Sequence, residues 1–170
     1  MSTANARPGE IALDFDPSER ATDAGLVFIG RIRTPWDERS DCPRNTREAL
    51  ERGAIATLEF DDAYRQGLTG LENTTHLHVL YWMHQSRRDL IVQCPNHSNG
   101  AKGVFALRSP VRPNPIALAV AEVVGMDLTE GRILVRGLDC LDGTPLLDIK
   151  PYFSGIDSRP DAKVGWMDKK

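Results

Sequence analysis

Residues 116–136 read IALAVAEVVGMDLTEGRILVR, two apolar, β-branched runs around a polar stretch, and this pattern predicts a β-hairpin. Asp127 and Gly131 mark its turn. The same signature recurs on both sides. LVFIGRIR (26–33), AIATLEF (54–60), HLHVLYWMH (76–84), LIVQCP (90–95), GVFALR (103–108) and LLDIKPYF (146–153) are strand-like and separated by turn-forming residues. Helical signals are few: NTREALERG (45–53) offers Asn45 as a cap, and DDAYRQGL (61–68) suits a helical turn closed by Gly67. Seven or more short strands at close spacing predict an all-β barrel or sandwich with minor helices, not an alternating α/β sheet.

The length of 170 residues suits one compact domain. Its expected extent is 25–155, with an arm over 1–24 that is either mobile or leans on a partner and a loosely held tail over 156–170. No run of eighteen apolar residues occurs, and the N-terminal stretch lacks the apolar core of a secretory signal, so a cytoplasmic protein without a membrane span is expected. Cys42, Cys94 and Cys140 are odd in number and form no C-x-x-C pair, which points to reduced thiols. A net charge of -3 excludes a uniformly cationic surface, so any nucleic-acid contact must use a local patch such as Arg87, Arg88 and Lys102. No G-x-G spacing and no Gly-Lys pair is present, which disfavours a dinucleotide fingerprint and a P-loop.

Three segments carry chemistry. In GVFALRSPVRPNPIALAV (103–120) a strand is expected to deliver Arg108, and three prolines in six residues then stiffen the loop. Arg108 and Arg112 can grip a carboxylate or phosphate, and Asn114 offers both a donor and an acceptor. A rigid barrel turn with solvated arginines fits the same spacing equally well. In LDCLDGTPLLDIKPYF (138–153) a tight turn at 142–145 places Asp139 and Asp142 on one rim, where carboxylates can accept bonds from hydroxyls. The plainer alternative is that Asp142 only bonds its own turn. DCPRN (41–45) adds Arg44 as an anion contact.

Two other patterns are read as structural. His76, His78 and His84 share a strand face, but His76 and His84 lie too far apart to share a metal ion, so no metal is expected. Cys94 and His97 show no supporting base or elbow motif.

Taken in order, IGRIRTP, DCPRN, LTGLENTTHLHVLYWMH, GVFALRSPVRPNPI and LDGTPLLDIKPY resemble the TsaA-like, TrmO-type tRNA methyltransferase family over residues 26–153. The resemblance implies a small closed or nearly closed β-barrel that forms homodimers and uses S-adenosylmethionine without a Rossmann fold. It also implies N6-methylation of threonylcarbamoyladenosine beside the tRNA anticodon. Carried over by motif, Pro43, Arg44 and Asn45, the run from Arg108 through Arg112, Pro113 and Asn114 to Ile116, and Leu141, Asp142, Thr144 and Pro145 converge on the cofactor. Asp139 joins them as a rim carboxylate.

The acceptor nitrogen is a poor nucleophile while protonated, so Asp142, Asp148 or Tyr152 is expected to take its proton. Trp36, Tyr81, Trp82 or Phe105 could stack an unpaired base. Asn45, Leu107, Ala117 and Ala119 depart from the family's usual Gln, Thr, Gly and Ser, and longer members continue into an additional C-terminal region. A methyltransferase for a small molecule or protein, and a cofactor-binding regulatory module without turnover, are the alternatives.

Overall fold

A computed structural model describes residues 6–20, 25–96 and 100–167. The strands are β1 (Ile11–Ala12), β2 (Gly30–Arg33), β3 (Ile55–Phe60), β4 (His76–Trp82), β5 (Leu90–Gln93), β6 (Lys102–Gly103), β7 (Ile116–Asp127), β8 (Arg132–Arg136) and β9 (Thr144–Pro151). The α-helices are α1 (Thr46–Arg52) and α2 (Ser154–Asp157), and 3-10 helices span Pro17–Arg20, Asp62–Leu68 and Val104–Ala106. The chain divides into two compact units: residues 24–84 with 116–152, and a second made of 1–23, 85–115 and 153–170.

The first unit is a closed barrel in the order β2-β3-β8-β7-β4-β9. Every pairing in it is antiparallel. Alternation makes the core: β3, β4 and β8 bury every second residue, so Leu58, Leu77, Val79, Ile133 and Val135 meet Ile32 and Leu146 inside at zero exposure. β7 inverts the usual size rule, since small Ala119 and Ala121 point inward while Ile116, Leu118 and Val120 stay exposed. The β7–β8 hairpin turns where the sequence predicts: Asp127 Oδ1 accepts the Glu130 N–H at 3.0 Å and Gly131 adopts φ 65°. α1 begins at its Asn45 cap and ends at Gly53 in the left-handed region. The Asp62–Leu68 helix runs through Gly67 rather than closing there.

In the second unit β1, β5 and β6 form a three-stranded sheet. Within the stretch expected as an arm, Ile11 and Ala12 therefore pair with Val92 and Leu90 of β5. Residues 104–106 form a 3-10 turn, not the strand the sequence suggests. Val104 and Leu107 are the buried pair and lie three apart while Phe105 is 87% exposed, a periodicity that a pleat cannot satisfy.

Arg7 and Glu10 make an ion pair at 2.7 Å, and Arg7 also donates to the Cys94 carbonyl at 3.2 Å. The bond from the Arg7 side chain, and next that from its backbone N–H, pull the Glu10 carboxyl down to about 2. A folded value below the unfolded one means that this contribution is complete above about pH 4.5 and is lost as pH falls towards 2. Urea midpoints should therefore drop more between pH 5 and 2 in the wild type than in Glu10→Gln. Equal slopes would remove this clasp from the account.

Candidate functional site

The antiparallel order puts the ends of β2, β4 and β8 and the starts of β3, β7 and β9 on one rim of the barrel. Two loops meet there, residues 34–45 after β2 and residues 137–143 before β9. The Asp142 and Gly143 N–H groups donate to the Trp36 and Ile32 carbonyls at 2.8 and 2.9 Å. In return the Asp142 carboxylate accepts the Thr34 N–H at 3.0 Å and Arg33 Nη1 at 3.1 Å. Thr34 Oγ1 donates to the Cys140 carbonyl at 3.0 Å, and Thr144 Oγ1 closes the turn onto the Leu141 carbonyl at 2.7 Å. Asp142 thus ties two loops together, a larger role than bonding its own turn.

Arg33 also donates to Glu59 at 2.8 Å, and its pKa is raised first by Glu59 and then by Asp142. The 41–45 loop is held from α1. Asn45 Oδ1 accepts the Glu48 N–H, and Glu48 Oε2 accepts the Arg44 N–H, both at 3.0 Å. Arg52 bonds the Asp41 carbonyl at 2.5 Å, pairs with Glu48, and lies 5.4 Å over the Trp36 ring. Glu48 is lowered first by the Arg44 N–H and then by Arg52.

Deeper in the rim, Tyr81 Oη donates to Asp139 Oδ1 at 2.9 Å. The Tyr81 ring is a core residue at 2% exposure, so it cannot serve as a stacking platform. The thiols of Cys42 and Cys140 are buried, burial pushes both up, and each feels the Asp139 charge. Asp139 therefore stands where the two loops meet.

Pro43, Arg44 and Asn45 come together with Asp139, Leu141, Asp142, Thr144 and Pro145 at this rim, and Ile116 starts β7 on the same rim opposite Trp82. Asp148 and Tyr152 do not join them. Asp148 lies midway along β9, paired with Lys150 at 2.5 Å. Tyr152 sits beyond the far end of β9, its N–H on the His76 carbonyl and its ring 5.3 Å from His78. Eight residues separate it from Thr144, which in a strand is roughly 26 Å. Period-two spacing could not reveal this, because it fixes faces and not heights.

In the second unit the Pro-rich loop is stapled by side chains. Arg112 Nη2 donates to the Val104 and Leu107 carbonyls at 2.6 and 2.5 Å. Gln93 Nε2 donates to the Val111 carbonyl at 2.5 Å, and Arg88 Nε to the Pro113 carbonyl at 2.6 Å. Arg112 thus spends one nitrogen on backbone rather than gripping an anion with a free fork, while its buried Nε has no partner among the described residues. Arg108 and Asn114 are exposed.

The sequence reading missed Arg33, Arg52, Gln93 and the Tyr81–Asp139 bond. The N-x-x-E spacing of Asn45 and Glu48, and a Gln ending an apolar strand, were the available signals.

The expected phosphate patch is largely committed elsewhere: Arg87 bonds Asp89 at 2.8 and 2.7 Å, Arg88 holds Pro113, and Lys102 lies 5.9 Å over the Trp166 ring. On the barrel wall a groove of about 520 Å³ is lined by Arg31, Arg33, Arg65 and Arg132 together with four carboxylates. Among the described residues no group of three or more metal-ligating side chains occurs, and no helix is long and apolar enough to cross a membrane. Cys94 Sγ lies 3.6 Å from the Pro8 carbonyl, and His97 falls outside the described residues.

Residues 31–158 match the family model of the tRNA-methyltransferase O N-terminal domain. A probable S-adenosyl-L-methionine-binding protein of Rhizobium radiobacter is 45% identical over 89% of this chain and 82% of its own length. The tRNA (adenine(37)-N6)-methyltransferase of Escherichia coli is 35% identical over 81% of this chain and 61% of its own. A crystal structure of TrmO from Pseudomonas aeruginosa superposes with a TM-score of 0.69 at 34% identity, covering 86% of this chain and 64% of that one. The chain thus spans a little over three fifths of the last two proteins.

Proposed function

This chain belongs to the tRNA-methyltransferase O N-terminal domain family, and we propose on that premise that it is an S-adenosylmethionine-dependent methyltransferase whose acceptor is N6 of threonylcarbamoyladenosine in tRNA. The observation that carries the reading is the barrel rim, where Asp142 locks the two family loops to each other and leaves Arg44 and Asp139 beside them. The residues present fit the cofactor. Arg112 Nε is a buried donor lacking an acceptor among the described residues, suited to a carboxylate oxygen or an adenine ring nitrogen. When bound, S-adenosylmethionine supplies an electrophilic methyl group on a sulfonium. The protein's part is to fix both partners in line, since positioning alone can provide much of the rate.

The acceptor assignment rests on the 35% identity to the Escherichia coli tRNA enzyme. Phe105, 87% exposed, is suited to stacking on an unpaired base, and Arg31 and Arg132 flank the barrel groove with no ion pair among the described residues. Incubation with labelled S-adenosylmethionine and tRNA from a strain lacking its own enzyme of this type should give salt-sensitive methyl incorporation. The cofactor alone should raise the melting temperature. Absence of any thermal shift at millimolar cofactor would overturn the central claim, and transfer to a metabolite pool but not to tRNA would overturn the acceptor.

A second reading, cofactor binding without turnover, is favoured by relatives whose names state binding alone. A thermal shift with no methyl transfer to tRNA, protein or metabolites would select it.

The exposed row of Ile116, Leu118 and Val120 supports the expected homodimer. Light scattering should return twice the chain mass. A monomer across a hundredfold dilution series would reject the dimer. The cytoplasmic location stays part of the same proposal.

A further inference from the structure

We propose that Asp139, oriented by Tyr81, is the group that takes the proton from the acceptor nitrogen. The inference rests on the methyltransferase reading and adds a residue role to it. A proton acceptor must be accessible, fixed in place and not already spent on a cation. Asp142 fails the last condition, because both of its oxygens are engaged, Oδ1 by the Thr34 N–H and Oδ2 by Arg33. Asp148 is paired with Lys150, and Tyr152 lies at the opposite rim.

Asp139 meets all three. It is partly exposed while its neighbours Leu138 and Cys140 are buried, so the carboxylate opens outward from a fixed backbone. Oδ1 is held at 2.9 Å by the hydroxyl of a tyrosine whose ring is locked in the core. No arginine or lysine among the described residues forms an ion pair with it, and Oδ2 is left for a ligand. The groups facing it are the Tyr81 hydroxyl from β4, the Cys42 thiol from the 34–45 loop and the adjoining Cys140, and Arg39 and Arg52 act on that Cys42 thiol. This is the arrangement a general base needs: one lone-pair direction anchored, the other presented.

In the step itself the acceptor N–H bond breaks and its proton passes to Asp139 Oδ2. The freed nitrogen lone pair forms the new N–C bond while the C–S bonding pair returns to sulfur. The proton then leaves from Asp139 to water. Atoms and charge balance without another reagent.

The test uses the full chain with tRNA and S-adenosylmethionine, and reads three quantities for the wild type, Asp139→Asn, Asp139→Ala and Tyr81→Phe: turnover, cofactor Kd by calorimetry, and melting temperature. The expected result is a fall in kcat of about 10²- to 10⁴-fold in Asp139→Asn, with cofactor Kd and melting temperature close to wild type. Formate or acetate should restore turnover in Asp139→Ala, which a purely structural role would not allow. Tyr81→Phe should lower kcat by about tenfold, in line with the net worth of one hydrogen bond, while leaving cofactor Kd unchanged. If Asp139→Asn keeps wild-type kcat, or loses cofactor affinity in proportion to turnover, the proposal is overturned while the methyltransferase reading stands. If the wild type transfers no methyl group, the reading falls and the proposal falls with it.

Discussion

Gly30→Ala is expected to leave little folded protein. A Cβ at this position would lie 1.9 Å from the Glu59 carbonyl oxygen and 2.9 Å from both the Glu59 carbonyl carbon and the Phe60 Cα. The obstacle is backbone, not the tip of a flexible side chain, so it cannot rotate away. Gly30 is also paired on both sides, with Phe60 of β3 and Leu146 of β9, so retreat from one neighbour breaks the other. The cost should exceed about 4 kcal/mol, against a total stability that for most domains is about 5–15 kcal/mol. Gly53→Ala is the control: its φ of 66° strains an alanine but nothing stands within 4 Å, so about 1 kcal/mol is expected there. Circular dichroism melts of the two variants decide the matter. A Gly30→Ala protein melting within a few degrees of wild type would mean that the register of β2 is wrong.

Arg112→Ala is the second large effect. It removes two charge-assisted bonds and takes the guanidinium donor from the Leu107 carbonyl, while the Val104 carbonyl keeps the Leu107 N–H at 3.1 Å. The loss of stability should be about 1.5–3 kcal/mol. Because the same bonds shape the Pro-rich loop, cofactor affinity should fall by about 10- to 100-fold, equivalent to about 1.4–2.8 kcal/mol. A lysine ammonium can also donate twice from one nitrogen, but its stem is one bond shorter and it lacks the Nε donor, so Arg112→Lys should recover only part of either quantity. Arg108→Ala, at an exposed position, should change stability by less than about 0.5 kcal/mol. Denaturant midpoints and calorimetric titration read both effects. An Arg112→Ala protein with unchanged midpoint and affinity would return this residue to the solvated surface.

Much of the barrel was legible because its signals are local. The alternation in AIATLEF and HLHVLYWMH names the inward residues of β3 and β4, Asp127 and Gly131 name the hairpin turn, and Asn45 names the start of α1. The family resemblance supplied the fold and the loops of the candidate site. What stayed hidden depends on pairing between distant residues. Nothing in RIRTP says that Arg33 will bridge Glu59 and Asp142, and nothing in LYWM says that the Tyr81 hydroxyl will reach Asp139. The sequence left Asp142, Asp148 and Tyr152 as alternative proton acceptors, because residue type does not give height along a strand, and a strand eight residues long carries its two ends to opposite rims. The GVFALR segment misled because its composition is strand-like while its burial follows a three-residue step.

The pairing of β2 with β9 also sets a schedule for making the protein. Ile32 is joined to Thr144, so the first barrel strand waits for more than a hundred later residues before its second edge is covered. On the ribosome β2 and β3 can pair early, yet the ring cannot close until β9 has emerged from the exit tunnel. During that interval the Gly30–Ile32 edge presents unpaired backbone groups, an invitation to strand capture by neighbouring chains. Closure through such distant contacts is intrinsically slow. The nascent chain is thus vulnerable from the emergence of β2 until β9 arrives, and that vulnerability is written into the strand order itself.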